Sequence, residues 1–168
     1  NPDLSVFAVS IPDSFRVSMN NPENNITAHP TGYEETRGPE FALDEDLNTF
    51  FLQQDGNQSY LKIDLKYPGR ATAISFTSSN NEDRSADPES VLVEGLENNG
   101  SFSVISELLI PSFDQPKQPR LVSFENDQNF STYRITFLSN QDDFNNSSHI
   151  ELAEIELLGV PGSDQWLS

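Results

Sequence analysis

The sequence predicts an all-β fold, an antiparallel β-sandwich of about eight strands. Short runs of alternating apolar and polar residues recur along it, and clusters of Asn, Asp, Gly, Ser and Pro separate them. Sustained helical periodicity is hard to find, which removes the main competing class.

The elements follow in order. Residues 4–9 and 15–19 are short apolar segments. Residues 60–65 alternate, with Leu61, Ile63 and Leu65 on one face and Lys62 and Asp64 on the other. Residues 71–77 resume after the turn Tyr67-Pro68-Gly69-Arg70, and residues 91–94, 102–106, 121–124 and 133–138 continue the series.

The last strand, residues 150–158, carries a break in phase. Ile150 and Leu152 share one face, whereas Ile155 and Leu157 fall on the other. A period-2 strand changes faces only by inserting a residue, so a bulge or bend is expected at Ala153-Glu154, with a carbonyl freed from the ladder.

Three polar stretches lie between strands: residues 20–40, interrupted by Pro22, Pro30, Gly32 and Pro39, and residues 80–89 and 139–148. Loops of that length inside a domain tend to carry function.

The chain has 168 residues, enough for one domain, placed at residues 1–160, with 161–168 as a tail that contains the single tryptophan, Trp166. It begins at Asn1 without a leader pattern, which reads as a piece of a longer protein. Apolar runs end well short of the roughly 18–20 residues of a membrane helix.

Nine basic residues face 27 acidic ones, a net charge of −18. That field repels nucleic acid and anionic membranes and suits divalent cations or neutral ligands; simple solubility in salt is the bland alternative. Cysteine is absent, so stability comes from the core or from a hard cation.

Neither the nucleophile-elbow motif, a phosphate-binding glycine loop, nor the zinc-protease motif is present. His29 and His149 are the only histidines, too few for a nitrogen-rich catalytic metal site. Paired-carboxylate hydrolysis stays open, because so many acids make pairs inevitable.

The sharpest local signal runs from Phe41 to Phe51. Asp44, Asp46, Asn48 and Thr49 concentrate oxygen ligands there, as Ca²⁺ requires, without the spacing of an EF-hand. An acidic loop or a capped turn at Asp44 is the alternative.

These residues carry a resemblance. The stretch Ala42-Leu-Asp44-Glu-Asp46-Leu-Asn-Thr49 resembles the acidic turn of the discoidin, or coagulation-factor type C, family. Tyr60-Leu-Lys-Ile-Asp64-Leu resembles its next strand, and Leu152-Ala-Glu154-Ile-Glu-Leu-Leu-Gly159 its closing strand. Residues 79–88 resemble a loop of the bacterial, galactose-binding-like branch, with Ala86 where that branch has Arg and Arg84 two residues early; in the acidic turn, Glu45 stands in place of the glycine.

The resemblance implies a jelly-roll sandwich with one structural Ca²⁺, held by Asp44, Asp46, Thr49, Glu154 and a carbonyl at Ala153. It also implies a sugar cleft among the end loops, for which Asn80, Glu82, Arg84, His29, Tyr33 and Phe144 are the candidates. Arg84 ranks first for its five-donor fork, the rival reading being an ion pair with Asp83 or Asp87. For Tyr33 and Phe144 the rival is loop packing, and His149 is expected to cap a strand.

The expected function is therefore a non-catalytic carbohydrate-binding module of a secreted or cell-surface bacterial multidomain protein, its partner a polysaccharide or other glycan. A protein-interaction module on the same fold is the runner-up. A glycosidase or lyase is third.

Overall fold

The computed structural model describes residues 16–31, 35–145 and 147–162. The apolar segment at residues 4–9, Tyr33 and Trp166 lie outside them. Ten strands are formed among the described residues: β1 (Val17–Ser18), β2 (Asn25–His29), β3 (Phe51–Gln53), β4 (Tyr60–Thr77), β5 (Pro88–Leu96), β6 (Phe102–Leu109), β7 (Pro119–Ser123), β8 (Phe130–Asn140), β9 (Ile150–Leu152) and β10 (Glu154–Pro161).

The long strand β4 organises the sandwich. Its first half, through Asp64, pairs with β2 on one side and β8 on the other. Its second half, from Gly69, pairs with β10 and β7. One layer therefore runs β2-β4-β8-β5-β6 and the other β1-β10-β4-β7, with β4 crossing between them at residues 65–69.

Tyr133, fully buried on β8, pins this crossing. Its hydroxyl donates to the Gly69 carbonyl at 2.7 Å and accepts the Ala71 N–H at 2.9 Å. The two strands expected at residues 60–65 and 71–77 are thus one strand bent at the turn Tyr67-Pro68-Gly69-Arg70.

The alternation seen in sequence supplies the core. Leu61, Ile63 and Leu65 point inward from β4, joined by Tyr133, Ile135 and Phe137 from β8 and by Val91 and Val93 from β5. Burial of such side chains contributes roughly 1.5–3 kcal/mol each before entropy is set against it.

The strand expected over residues 150–158 breaks at Ala153. β9 pairs with β3 in a small separate sheet, whereas β10 joins the main one. Ile150, Leu152, Ile155 and Leu157 are all buried, so the phase change is a change of sheet. Ala153 itself is buried, and its N–H donates to the Thr77 carbonyl at 2.9 Å.

Two strands fall where the sequence pattern predicts a loop or no element. β2 lies within the polar stretch 20–40 and β3 in the segment after the acidic turn. β2 is an edge strand that pairs only with β4, so Ile26 and Ala28 suffice for its inward face. At the chain's other end, β10 carries the ladder to Pro161, one residue past the expected boundary.

Candidate functional site

β4 ends, β5 begins and β8 ends at the same pole of the sandwich, where the loops 43–49, 54–59, 78–87, 110–118 and 140–149 gather. Asn80 Nδ2 donates to the Asn48 carbonyl at 3.3 Å, and Lys117 Nζ to Asn48 Oδ1 at 2.7 Å. The Lys117 N–H donates to the Ser79 carbonyl, and the Gln141 N–H to that of Asp87. The Ser148 hydroxyl donates to the Gln54 carbonyl at 3.0 Å, so that five loops distant in sequence form one surface.

Backbone strain is concentrated here. The described non-glycine residues with positive φ are Glu45 (58°), Gln58 (62°), Lys117 (57°), Asp143 (50°) and Phe144 (56°), and every one lies in these loops. Such conformations cost of order 1–3 kcal/mol each and tend to cluster where function demands them.

The acidic turn is built from its own side chains. Asp44 Oδ1 accepts the Asp46 N–H at 3.0 Å, Asp46 Oδ1 accepts the Asn48 N–H at 2.9 Å, and the Thr49 hydroxyl bonds Asp44 Oδ2. Against it stands Glu154, the first residue of β10. Burial, and then the Asp44 carboxyl beside it, push the Glu154 pKa up to about 8.

Glu154 Oε1 is buried without a hydrogen-bond partner. Among the described residues no group of three His, Cys, Asp or Glu side chains is poised around one point. A cation here would rely on the Asp44 and Glu154 carboxylates, the Thr49 hydroxyl and main-chain carbonyls. That hard-oxygen set, with an orphaned carboxylate oxygen, is chemically suited to Ca²⁺.

Arg84 is committed to the protein. Nη1 donates to the Gln115 carbonyl at 3.2 Å, and Nη2 to the carbonyls of Ser79, at 3.3 Å, and Asn81. Its Nε sits 3.5 Å from Asp87 Oδ2, an ion-pair distance without hydrogen-bond geometry, so both atoms are left without a bond. The ion pair expected as its alternative role is therefore present, and the fork holds three loop carbonyls together.

Asp87 is buried, which raises its pKa to about 7 against the opposing pull of Arg84. Glu151, on β9, accepts from the Ser79 hydroxyl at 2.8 Å and from Asn81 Nδ2 at 2.9 Å. Glu151 projects from the outward phase of the Ile150/Leu152 alternation, a position the sequence pattern offered but did not single out. The loop at 110–118 has no distinguishing sequence pattern; Ser78 ties it in by donating to the Gln115 carbonyl and accepting the Gln118 N–H, both at 2.9 Å.

Of the proposed sugar contacts, Asn80 and Glu82 are exposed on the Arg84 loop. Phe144 is half-buried against the core, its N–H held by Asn140 Oδ1 at 2.9 Å. His29 stands apart on β2, stacked on Tyr60 with centroids 5.2 Å apart. Three strand spacings, about 14 Å, separate β2 from β5. His149 lies next to β9, and its carbonyl accepts Asn140 Nδ2 at 3.0 Å.

No sequence-family model matches this chain, and no curated protein matches it. Solved structures do. The galactose complex of a family 32 carbohydrate-binding module of NanJ from Clostridium perfringens aligns over 85% of this chain and 98% of its own, at 15% identity and a TM-score of 0.67. An F5/8 type C domain from Bacteroides fragilis aligns over 87% and 97%, at 15% identity and 0.73. A module of a Clostridium perfringens family 31 glycoside hydrolase aligns over 87% and 96%, at 18% identity and 0.68.

The chain is an antiparallel β-sandwich with loops gathered at one pole. Its fold is that of the discoidin-like, F5/8 type C domains.

Proposed function

We propose that this domain binds carbohydrate without transforming it, at the pole where the five loops meet. The observation that carries the reading is the confinement, among the described residues, of left-handed, non-glycine backbone to that pole, on a fold whose solved examples include complexes with galactose and with GalNAc-β-1,3-galactose. Asn80 and Glu82 supply exposed hydrogen-bonding groups for hydroxyls, and Phe144 an apolar ring face. Arg84 positions the loop from beneath. His29 marks an outer flank of the same pole.

The Asp44 and Glu154 carboxylates, the Thr49 hydroxyl and the main-chain carbonyls of Asp46 and Ala153 would hold Ca²⁺. Bound there, the ion supplies positive charge that neutralises the facing carboxylates and ties the acidic turn to the seam between β9 and β10. Its role is structural. No described helix is long and apolar enough to cross a membrane, and the reading places the domain outside the cell, attached to other modules that it keeps near a glycan.

A glycan-array screen of the isolated domain, with and without Ca²⁺, tests this. Specific binding to a defined set of glycans is the expected result. A blank array with folded, calcium-loaded protein would overturn it and favour a protein partner.

A further inference from the structure

The opposite pole carries a concave surface of about 590 Å³, within the range of small-ligand sites. It lies between the bend of β4 at Arg70, the start of β6 at Ser103 to Ile105, and the loop from Glu125 that enters β8 at Phe130. It shares no residue with the five loops of the other pole.

Its floor is fixed by packing. The Phe130 ring lies over Gly95, where a Cβ atom would fall 2.5 Å from it, and meets Tyr133 edge-on at 5.6 Å. Its loop wall is pinned by Asn126. Asn126 Nδ2 donates to the carbonyls of Ala71 and Gln128, both at 3.1 Å, its Oδ1 accepts the Gln128 N–H at 3.2 Å, and Arg70 Nη1 donates to its carbonyl at 3.2 Å. A wall ordered before a ligand arrives loses little entropy on binding.

The third wall is a bulge. Ser106 pairs with Val93 and Val104 with Glu94, so Ile105 is the extra residue in β6. Bulges on edge strands re-aim side chains, and Val104 is left 65% exposed at the cleft.

We infer that this cleft is a second carbohydrate subsite, selective for neutral sugars, an assignment of ligand class that rests on the reading of the domain as a glycan binder. Glu125, Asp127 and Gln128 are exposed acceptors and donors beside the apolar Val104 and Ile105. A pyranose offers the complementary combination of hydroxyls around an apolar face. Two carboxylates against one guanidinium, on a chain of net charge −18, disfavour acidic sugars. Sites at opposite poles allow one domain to bridge two glycan strands, with the gain in avidity that bivalency brings.

Residue-resolved NMR tests the inference on the ¹⁵N-labelled domain, titrated with galactose, GalNAc-β-1,3-galactose, neutral oligosaccharides and, as a cationic control, oligolysine. Saturable shifts are expected at Val104, Ile105, Asp127 and Gln128 as well as around Asn80. Gln128→Ala and Val104→Asp, both at exposed positions, should weaken the first set at least fivefold and leave the Asn80 set unchanged. Shifts confined to the Asn80 pole overturn this subsite and leave the proposed function standing. Shifts at the Val104 cleft alone support the subsite and displace the loop pole. A cleft that answers only to oligolysine overturns the sugar assignment, and no saturable shift anywhere overturns both.

Discussion

The carboxyls of Asp44 and Glu154 face each other across the seam where β9 gives way to β10, though most of the chain separates them. Glu154 is driven toward its neutral form by burial and by Asp44, and its Oε1 has no partner. Ca²⁺ at a hundredfold excess over its Kd should stabilise the fold by about 2.7 kcal/mol, roughly 5–10 °C in Tm. Differential scanning calorimetry of Glu154→Gln should show that increment gone, with the calcium-free variant at least as stable as the parent. An equal calcium response in both proteins would refute the assignment.

Glu45 occupies the left-handed region at φ 58°, a backbone conformation that favours glycine. Removing its Cβ relieves a cost of about 1–2 kcal/mol, offset in part by the greater freedom of glycine in the unfolded chain. Glu45→Gly should therefore raise stability by up to about 1 kcal/mol in chemical denaturation. A clear loss of stability would show that the Glu45 side chain, not the backbone, matters at the turn.

Arg84→Ala should act on stability before it acts on ligand. It leaves the Ser79, Asn81 and Gln115 carbonyls without this donor and Asp87 buried without its counter-charge. A loss of about 1–3 kcal/mol is expected, with little rescue by Arg84→Lys, which cannot span three acceptors. An unchanged Tm in both variants would return Arg84 to the exposed, ligand-facing role.

Asp87 makes stability depend on pH with a definite sign. Its carboxyl, raised from 3.8 to about 7 by burial with Glu151 and Asp83 adding to the effect and Arg84 opposing it, holds its proton more tightly folded than unfolded. The resulting stability is full below about pH 4 and is lost as pH rises through 7. Asp87→Asn removes that component, so the Tm difference, variant minus parent, should grow from pH 4 to pH 8. Acids that do not interact with Asp87 cancel in the difference. A constant difference across that range would contradict the shift.

Much of this was legible in sequence wherever a residue's role is set by its immediate neighbours. The alternation of Leu61, Ile63 and Leu65 and the phase change at Ala153 report burial directly, and both appear in the fold. β2 was hidden because an edge strand demands only one or two inward apolar residues. The occupation of Arg84 was also hidden, since its acceptors are main-chain carbonyls supplied by three separate positions, and carbonyls have no sequence signature. The same holds for the loop at 110–118, whose contacts run largely through its backbone.

The central claim, sugar held at the loop pole, is tested most directly by titration calorimetry of the best array ligand against the parent domain, Asn80→Ala and Glu82→Ala. Both residues are exposed, so the folds should survive. The account predicts measurable binding by the parent and a tenfold or greater loss in at least one variant, at unchanged Tm. Parent binding that both variants retain in full, or a parent that binds no glycan, would contradict it.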